Sequence, residues 1–367
     1  MIQKPKILFL VQMPPPVHGV SMMNEIVVNS QKIKNSFWQK VISLNYTNEI
    51  KGIGKFSFKK AWLFFFIFFK VVHGTFVFRP DIIYFTISPV GISFYRDLFI
   101  VVILKISGKK IVYHIHGKGI YEKCLKSPIQ KHIYSWVFKN TDVIHLSTVL
   151  VKDLSLLKKK FRSHVVPNGI SKEKLSKSNH KEDVFTILFL SNIAENKGIY
   201  LFLNTCAFLK KQNVDFRGLI VGRETTLISK EILNQRIKKL DLNKEVDYLG
   251  PKYGSEKESI LDKSHLFVFP TYNDCFPLVL LEAQKYGLPI ISTDEGAISE
   301  IVDNNNNGYI VQRLNQNELN IKVLDLIKDK NRLSMFSLNA SKKFNENYTV
   351  EIFQENITSV LLKILND

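Results

Sequence analysis

The sequence predicts an α/β protein made of two Rossmann-like domains, each on a parallel sheet. Three observations carry that expectation. Apolar, strand-like runs recur with helical stretches between them, one polar stretch divides the runs into two sets, and 367 residues suffice for two domains with a core each. In the first set the runs are Ile7–Val11, Val41–Leu44, Ile82–Thr86, Ile111–Ile115, Val143–Leu146 and His164–Val166. The second set holds Thr186–Leu190, Leu219–Val221, Val246–Leu249, Leu266–Phe269 and Pro289–Ser292. Between them Ser171–Asp183, SKEKLSKSNHKED, has almost no apolar content and is the natural linker. The expected division is therefore a first domain over 1–170, a linker over 171–184, a second domain over 185–345 and a terminal segment over 346–367. In that last segment Ile352, Phe353, Ile357, Val360, Leu361, Ile364 and Leu365 fall at helical spacing within Val350–Leu365.

Composition narrows the class of function. The three cysteines, Cys124, Cys206 and Cys275, are too widely spaced for a zinc site or a disulfide framework, which fits a reducing compartment. Ile7–Val11 is too short for a signal-peptide core and runs into Pro14–Pro16, so it reads as a first strand of a protein kept in the cytoplasm. Residues 1–170 hold 25 Lys and Arg against 7 Asp and Glu, whereas residues 171–367 hold 26 against 26. All of the net +18 thus lies in the first half, which suggests a domain that meets an anionic surface. The segment Lys55–Lys70, KFSFKKAWLFFFIFFK, favours a membrane over a nucleic acid, because its aromatics form a block with lysines at the edges. Its apolar run is about half of the roughly 20 residues a spanning helix needs, so it is expected to lie in the headgroup region, with Lys55, Lys59, Lys60 and Trp62 as contacts. No nucleic-acid partner is expected.

The most informative stretch is Phe269–Gly308. Two carboxylates, Asp274 and Glu282, bracket the point where a loop becomes a short helix. Asn273 or Asp274 is expected to cap it, Pro277 to sit in its first turn, and Gly287 with Pro289 to close it. A helix N-terminus offers unpaired N–H groups and partial positive charge, a standard device for holding phosphate.

At this stretch the chain resembles the retaining glycosyltransferases of family 4, which have the GT-B fold: two Rossmann-like domains with parallel sheets facing across a cleft. Asp274, Glu282, Ala283, Gly287, Pro289, Gly296 and Glu300 match the family pattern in register, although its first acid is usually Glu. In Pro14–Val20, PPPVHGV, the family commonly has a double glycine; this chain keeps Gly19 and puts His18 at the other position. In His114-Ile115-His116-Gly117 the family's His-Gly pattern selects His116, expected beside the donor sugar. Strand alternation is read as turning only one of the two histidines to the ligand, with side chains too divergent to share a metal. Phe189–Gly198, FLSNIAENKG, keeps the family's Lys197-Gly198 and has Asn192 near the position of its usual arginine. Val165–Ile170 resembles the family's approach to the interdomain linker, and Gly250–Tyr253 follows a strand where the family contacts its nucleobase.

The resemblance implies transfer of a sugar from a nucleotide-diphosphate sugar to an acceptor hydroxyl, with retention of anomeric configuration and no assigned nucleophile. The expected catalytic residues are His116, Asp274 and Lys197, the last stabilising the departing diphosphate. Glu282 is expected to accept from ribose hydroxyls, with Gly19, Asn192, Gly250, Tyr253, Cys275, Phe276 and Leu278 completing the donor contacts. A UDP-sugar is the expected donor, with GDP behind it, and no metal or other cofactor is implied. The expected acceptor is a lipid-linked saccharide of bacterial surface-polysaccharide synthesis, met on the inner face of the cell membrane by a peripheral protein. In the implied fold the terminal helix crosses back onto the first domain. The competing readings are a nucleotide-sugar epimerase on the same fold, a nucleic-acid- or anion-binding protein using the basic half, and an inactive paralogue.

Overall fold

The computed structural model describes residues 4–45, 58–158, 160–174 and 181–367. The chain divides into two compact units, one formed by Met1–Gly169 with Val350–Asp367 and the other by Ile170–Thr349. The described residues carry twelve strands in two six-stranded sheets.

In the first unit the strands are β1 (Lys6–Val11), β2 (Trp38–Ser43), β3 (Ile82–Phe85), β4 (Lys110–His114), β5 (Asp142–His145) and β6 (Arg162–Val165). They lie in the order β2-β1-β3-β4-β5-β6 and every neighbouring pair is parallel. Parallel strands need helical crossovers that cover both faces, and β3 and β5 are accordingly buried along their whole length. The helix Phe58–Phe76 lies close on this sheet because Gly74 has no Cβ; one built there would meet Ile42 Cδ1 at 2.9 Å and Leu8 Cδ1 at 3.3 Å. The last helix, Val350–Asn366, buries Phe353, Ile357, Leu361 and Ile364 in this unit. Its carbonyl end is held by Lys110 Nζ, which donates to Ile364 O at 3.0 Å and Leu365 O at 2.8 Å, where a cation also suits the helix dipole.

In the second unit the strands are β7 (Thr186–Leu190), β8 (Arg217–Val221), β9 (Val246–Tyr248), β10 (Leu266–Phe269), β11 (Ile290–Thr293) and β12 (Gly308–Val311). Their order is β12-β11-β10-β7-β8-β9, again parallel throughout. The edge strand β12 was not expected from the sequence: only Tyr309, Ile310 and Val311 follow an asparagine-rich turn. It pairs with β11 because Gly308 can approach, a Cβ there falling 2.0 Å from Ile290 O. Ligands in open α/β sheets bind beyond the carboxyl ends of the strands where the strand order reverses. Those points are between β1 and β3 in the first unit and between β7 and β10 in the second. No helix among the described residues is long and apolar enough to cross a membrane.

Candidate active site

The loops leaving β7 and β10 meet at the second unit's reversal point. After β7 the chain forms a single tight turn, Glu195–Lys197, and then the helix Ile199–Lys211, with Gly198 between them at a φ of +85°. A Cβ on Gly198 would lie 2.3 Å from Pro270 O, so only glycine lets the two loops touch here. Tyr272 N and Thr271 Oγ1 both donate to Asn196 O, each at 3.0 Å, and close the seam. Lys197 is thereby carried over the β10 loop. Its Nζ lies 2.7 Å from Asp274 Oδ2 and donates to Asn273 O at 2.8 Å.

Asp274 does not cap the helix behind it, contrary to expectation, and neither does Asn273. The helix is Leu278–Lys285, with Pro277 at its N-cap rather than in its first turn and no capping side chain. Asp274 stands three residues ahead of that cap, and its Oδ1 accepts instead from Cys275 N at 2.8 Å. The other end closes at Gly287, φ +65°, with Leu288 N donating to Ala283 O at 2.9 Å.

Two residues that the sequence did not point to, Glu295 and Arg313, brace this loop from β11 and beyond. Glu295, almost wholly buried, accepts from Asp274 N at 3.3 Å, and Arg313 Nη1 donates to its Oε2 at 2.8 Å. Gly296, φ +59°, lets the strand end approach: a Cβ there would lie 2.5 Å from Cys275 O and 2.7 Å from Asp274 O. Both obstacles are backbone atoms, so Gly296→Ala should displace Asp274 and destabilise the second unit by about 1–3 kcal/mol, read as a lowered denaturation midpoint. An unchanged midpoint would mean the loop yields freely.

Glu282 sits on the helix Leu278–Lys285. Its Oε1 accepts from Lys257 Nζ at 2.8 Å, whereas Oε2 is buried without a partner. A buried acceptor left open is uncommon in a folded protein and marks a place for a donor. Lys257, on the helix Gly254–Lys263, was also missed, since nothing local distinguishes it from any solvated lysine.

The loop after β8 joins the same edge. Gly222 N donates to Gly250 O at 3.0 Å, and Ile193 N donates to Arg223 O at 2.8 Å. Arg223 Nη2 donates to the Tyr253 hydroxyl at 3.1 Å, and Tyr253 is the exposed N-cap residue of Gly254–Lys263. Asn192 is exposed, Cys275 and Leu278 are half-buried, and Phe276 is buried edge-on against Tyr348 at 6.2 Å.

In the first unit, His18 caps the helix Gly19–Asn29. Its Nδ1 accepts from Ser21 N at 3.3 Å while Ser21 Oγ accepts from His18 N at 3.0 Å, a reciprocal capping box that explains an imidazole beside Gly19. The two histidines at the end of β4 correct the expectation. His114 and His116, two residues apart and hence on one face, have ring centroids 4.0 Å from each other. Nδ1 of His114 shares a hydrogen bond with the Tyr84 hydroxyl, and Nε2 of each histidine is buried without a partner. Burial first, and the charge on His18 second, push His116 down to about 3, so its imidazole is neutral at ordinary pH. Among the described residues no group of three or more His, Cys, Asp or Glu could hold a metal ion. Trp62 is exposed on Phe58–Phe76; Lys55 lies outside the described residues, as do the side chains of Lys59 and Lys60.

The unit that carries Lys197, Asp274 and Glu282 is similar to a known family: residues 171–343 match the model of the Glycosyl transferases group 1 family. CapM of Staphylococcus aureus, a capsular polysaccharide biosynthesis glycosyltransferase, is 26% identical over 247 residues, covering 63% of this chain and 64% of CapM. The putative colanic acid biosynthesis glycosyltransferase WcaL of Escherichia coli is 24% identical over 182 residues, 48% of this chain and 44% of WcaL. The chain therefore spans less than two thirds of these relatives' own length. HepE of Anabaena, solved in complex with UDP, superimposes with a TM-score of 0.76 at 17% identity, over 98% of this chain and all of that one. The fold is GT-B.

Proposed function

We propose that this protein is a retaining glycosyltransferase of family 4 that moves a sugar from a UDP-sugar to a hydroxyl of a lipid-linked saccharide in bacterial surface-polysaccharide synthesis. The observation that carries the reading is the Lys197–Asp274 pair at the β7/β10 reversal point, in the same domain as the open Glu282 Oε2. In this reading the ribose of the donor gives a hydroxyl hydrogen bond to Glu282 Oε2, completing a carboxylate already fixed by Lys257. Lys197 faces the diphosphate as negative charge develops on it, and the uncapped N-terminus of Leu278–Lys285 adds partial positive charge. Asp274, paired with Lys197 and braced by Glu295, accepts from a hydroxyl of the transferred sugar. His116, neutral and with Nε2 free, exchanges a hydrogen bond with a sugar hydroxyl. The reaction so drawn uses no resident cofactor or metal, and the protein acts as a peripheral enzyme on the inner face of the membrane. The similarity to glycosyltransferases of capsular polysaccharide and colanic acid biosynthesis supports polysaccharide synthesis, and the UDP held by HepE supports the choice of nucleotide.

A thermal-shift panel of UDP-, GDP-, ADP- and dTDP-sugars, run on the protein and on Glu282→Ala, tests the donor reading. A ligand at about a hundred times its Kd stabilises the fold by about 2.7 kcal/mol, a shift of several degrees. UDP-sugars should raise Tm, and the variant should lose the rise. No shift with any nucleotide would turn the reading towards an anion-binding protein.

A further inference from the structure

The helix Gly91–Ile106 turns an unbroken apolar stripe to the outside. Ile92, Tyr95, Phe99, Val102 and Ile106 are exposed, Ile92 by 78% and Ile106 by 69%. Spacings of three, four, three and four residues put all five on one face of the helix. The opposite face, with Phe94, Ile100, Val101 and Leu104, is buried. The adjoining helix Phe58–Phe76 does the same: Trp62, Phe65, Phe66, Phe69 and Phe76 face outward while Ile67 and Val71 are buried. An edge-to-face contact of Phe64 with Phe99, centroids 5.8 Å apart, joins the two helices. Contiguous exposed apolar surface of this kind marks an interaction site.

Charge indicates what covers it. Phe58–Phe76 contains no acidic residue, and the one acid of Gly91–Ile106, Asp97, is buried and paired with Arg96. The flanking charges are lysines, Lys70 beside Phe66 and Lys105 and Lys109 at the far end of the second helix. A second copy would bring the same cations against one another, whereas an anionic surface complements them.

We propose that the two stripes form one membrane-insertion face, whose occupant is the boundary between headgroups and acyl chains of an anionic bilayer. This deepens the membrane-surface reading given above and rests on it. The aromatic and aliphatic side chains enter the boundary while the lysines remain at the headgroups, so attachment has an apolar part as well as an electrostatic one.

Flotation with vesicles tests the face without nucleotide or acceptor. Equal parts of phosphatidylglycerol and phosphatidylcholine serve as the anionic membrane, and phosphatidylcholine alone as the neutral one. The protein should float with the anionic vesicles and remain partly bound at about 0.5 M salt, where electrostatic attraction is screened beyond a few ångströms. Phe99→Ser/Ile106→Ser, which changes no charge and gives up exposed apolar surface and the one Phe64 edge contact, should lower partitioning by about tenfold or more with Tm nearly unchanged. Ile92→Ser serves as the second variant if the double one melts early. Equal flotation of variant and parent, no flotation of the parent, or a dimer that the variant turns to monomer would each overturn the proposal. Lost flotation beside an intact UDP-sugar shift would remove this face and leave the donor site standing; the reverse pair of results would do the opposite.

Discussion

Lys197→Met is expected to lower turnover of the proposed UDP-sugar donor by about 10²–10³-fold while leaving the fold nearly as stable as before. The lysine is the cation placed at the reversal point by the Gly198–Pro270 approach, and it reaches Asp274 Oδ2 at 2.7 Å. Its side chain and that of Asp274 are 23% and 18% exposed, so their pairing contributes about 1 kcal/mol to folding at most. The effect should therefore fall on the transition state and not on Tm. Lys197→Arg should recover part of the rate, because a cation is kept, but not all of it, because a planar guanidinium cannot replace a compact ammonium in the same contacts. Steady-state kinetics with the sugar nucleotide chosen by the thermal-shift panel provide the check. Unchanged turnover in Lys197→Met would remove this residue from the reaction.

The second large effect is a loss of stability in acid. Burial pushes His145 down to about 4 and His116 to about 3, and lowers His114 well below the ordinary value of 6.5. The folded state therefore binds protons less readily than the unfolded chain. Stability from these rings is complete above about pH 6.5 and is lost as pH falls from there towards their folded values. The slope approaches about 1.4 kcal/mol per pH unit for each ring, or about 2 kcal/mol each by about pH 5. Against a typical stability of about 5–15 kcal/mol that is a large share. Denaturant midpoints measured from neutral pH to about pH 5 should fall steeply, and His145→Gln should flatten the curve. Parallel curves for parent and variant would show that His145 is not held neutral in the folded state.

Much of the second unit's candidate site was legible because its signals are local. Asp274, Glu282, Gly287, Gly296 and Lys197-Gly198 lie in short motifs, and the glycines are demanded by backbone approaches under 3 Å at Gly198 and Gly296. The residues that were missed act across sequence distance. Glu295 reaches Asp274 N from the next strand, Arg313 reaches Glu295 from beyond β12, and Lys257 reaches Glu282 from the preceding helix. A charged side chain announces no partner until the fold supplies one. The error over His114 and His116 has a different origin. Strand alternation separates neighbours, not residues two apart, and the 4.0 Å ring contact follows from that geometry.

The sequence by itself determined the α/β class, the positions of eleven of the twelve strands and the basic bias of the first half, because period, apolar runs and charge are properties of neighbouring residues. Only the tertiary structure decided strand order, and with it which loops share a reversal point. It also decided that Asp274 is paired and not a helix cap, that Glu282 keeps one oxygen open, and that two helices present a single apolar face. Each of these depends on which segments approach each other, and such approaches are set by sheet pairing and close backbone contacts between residues far apart in the chain.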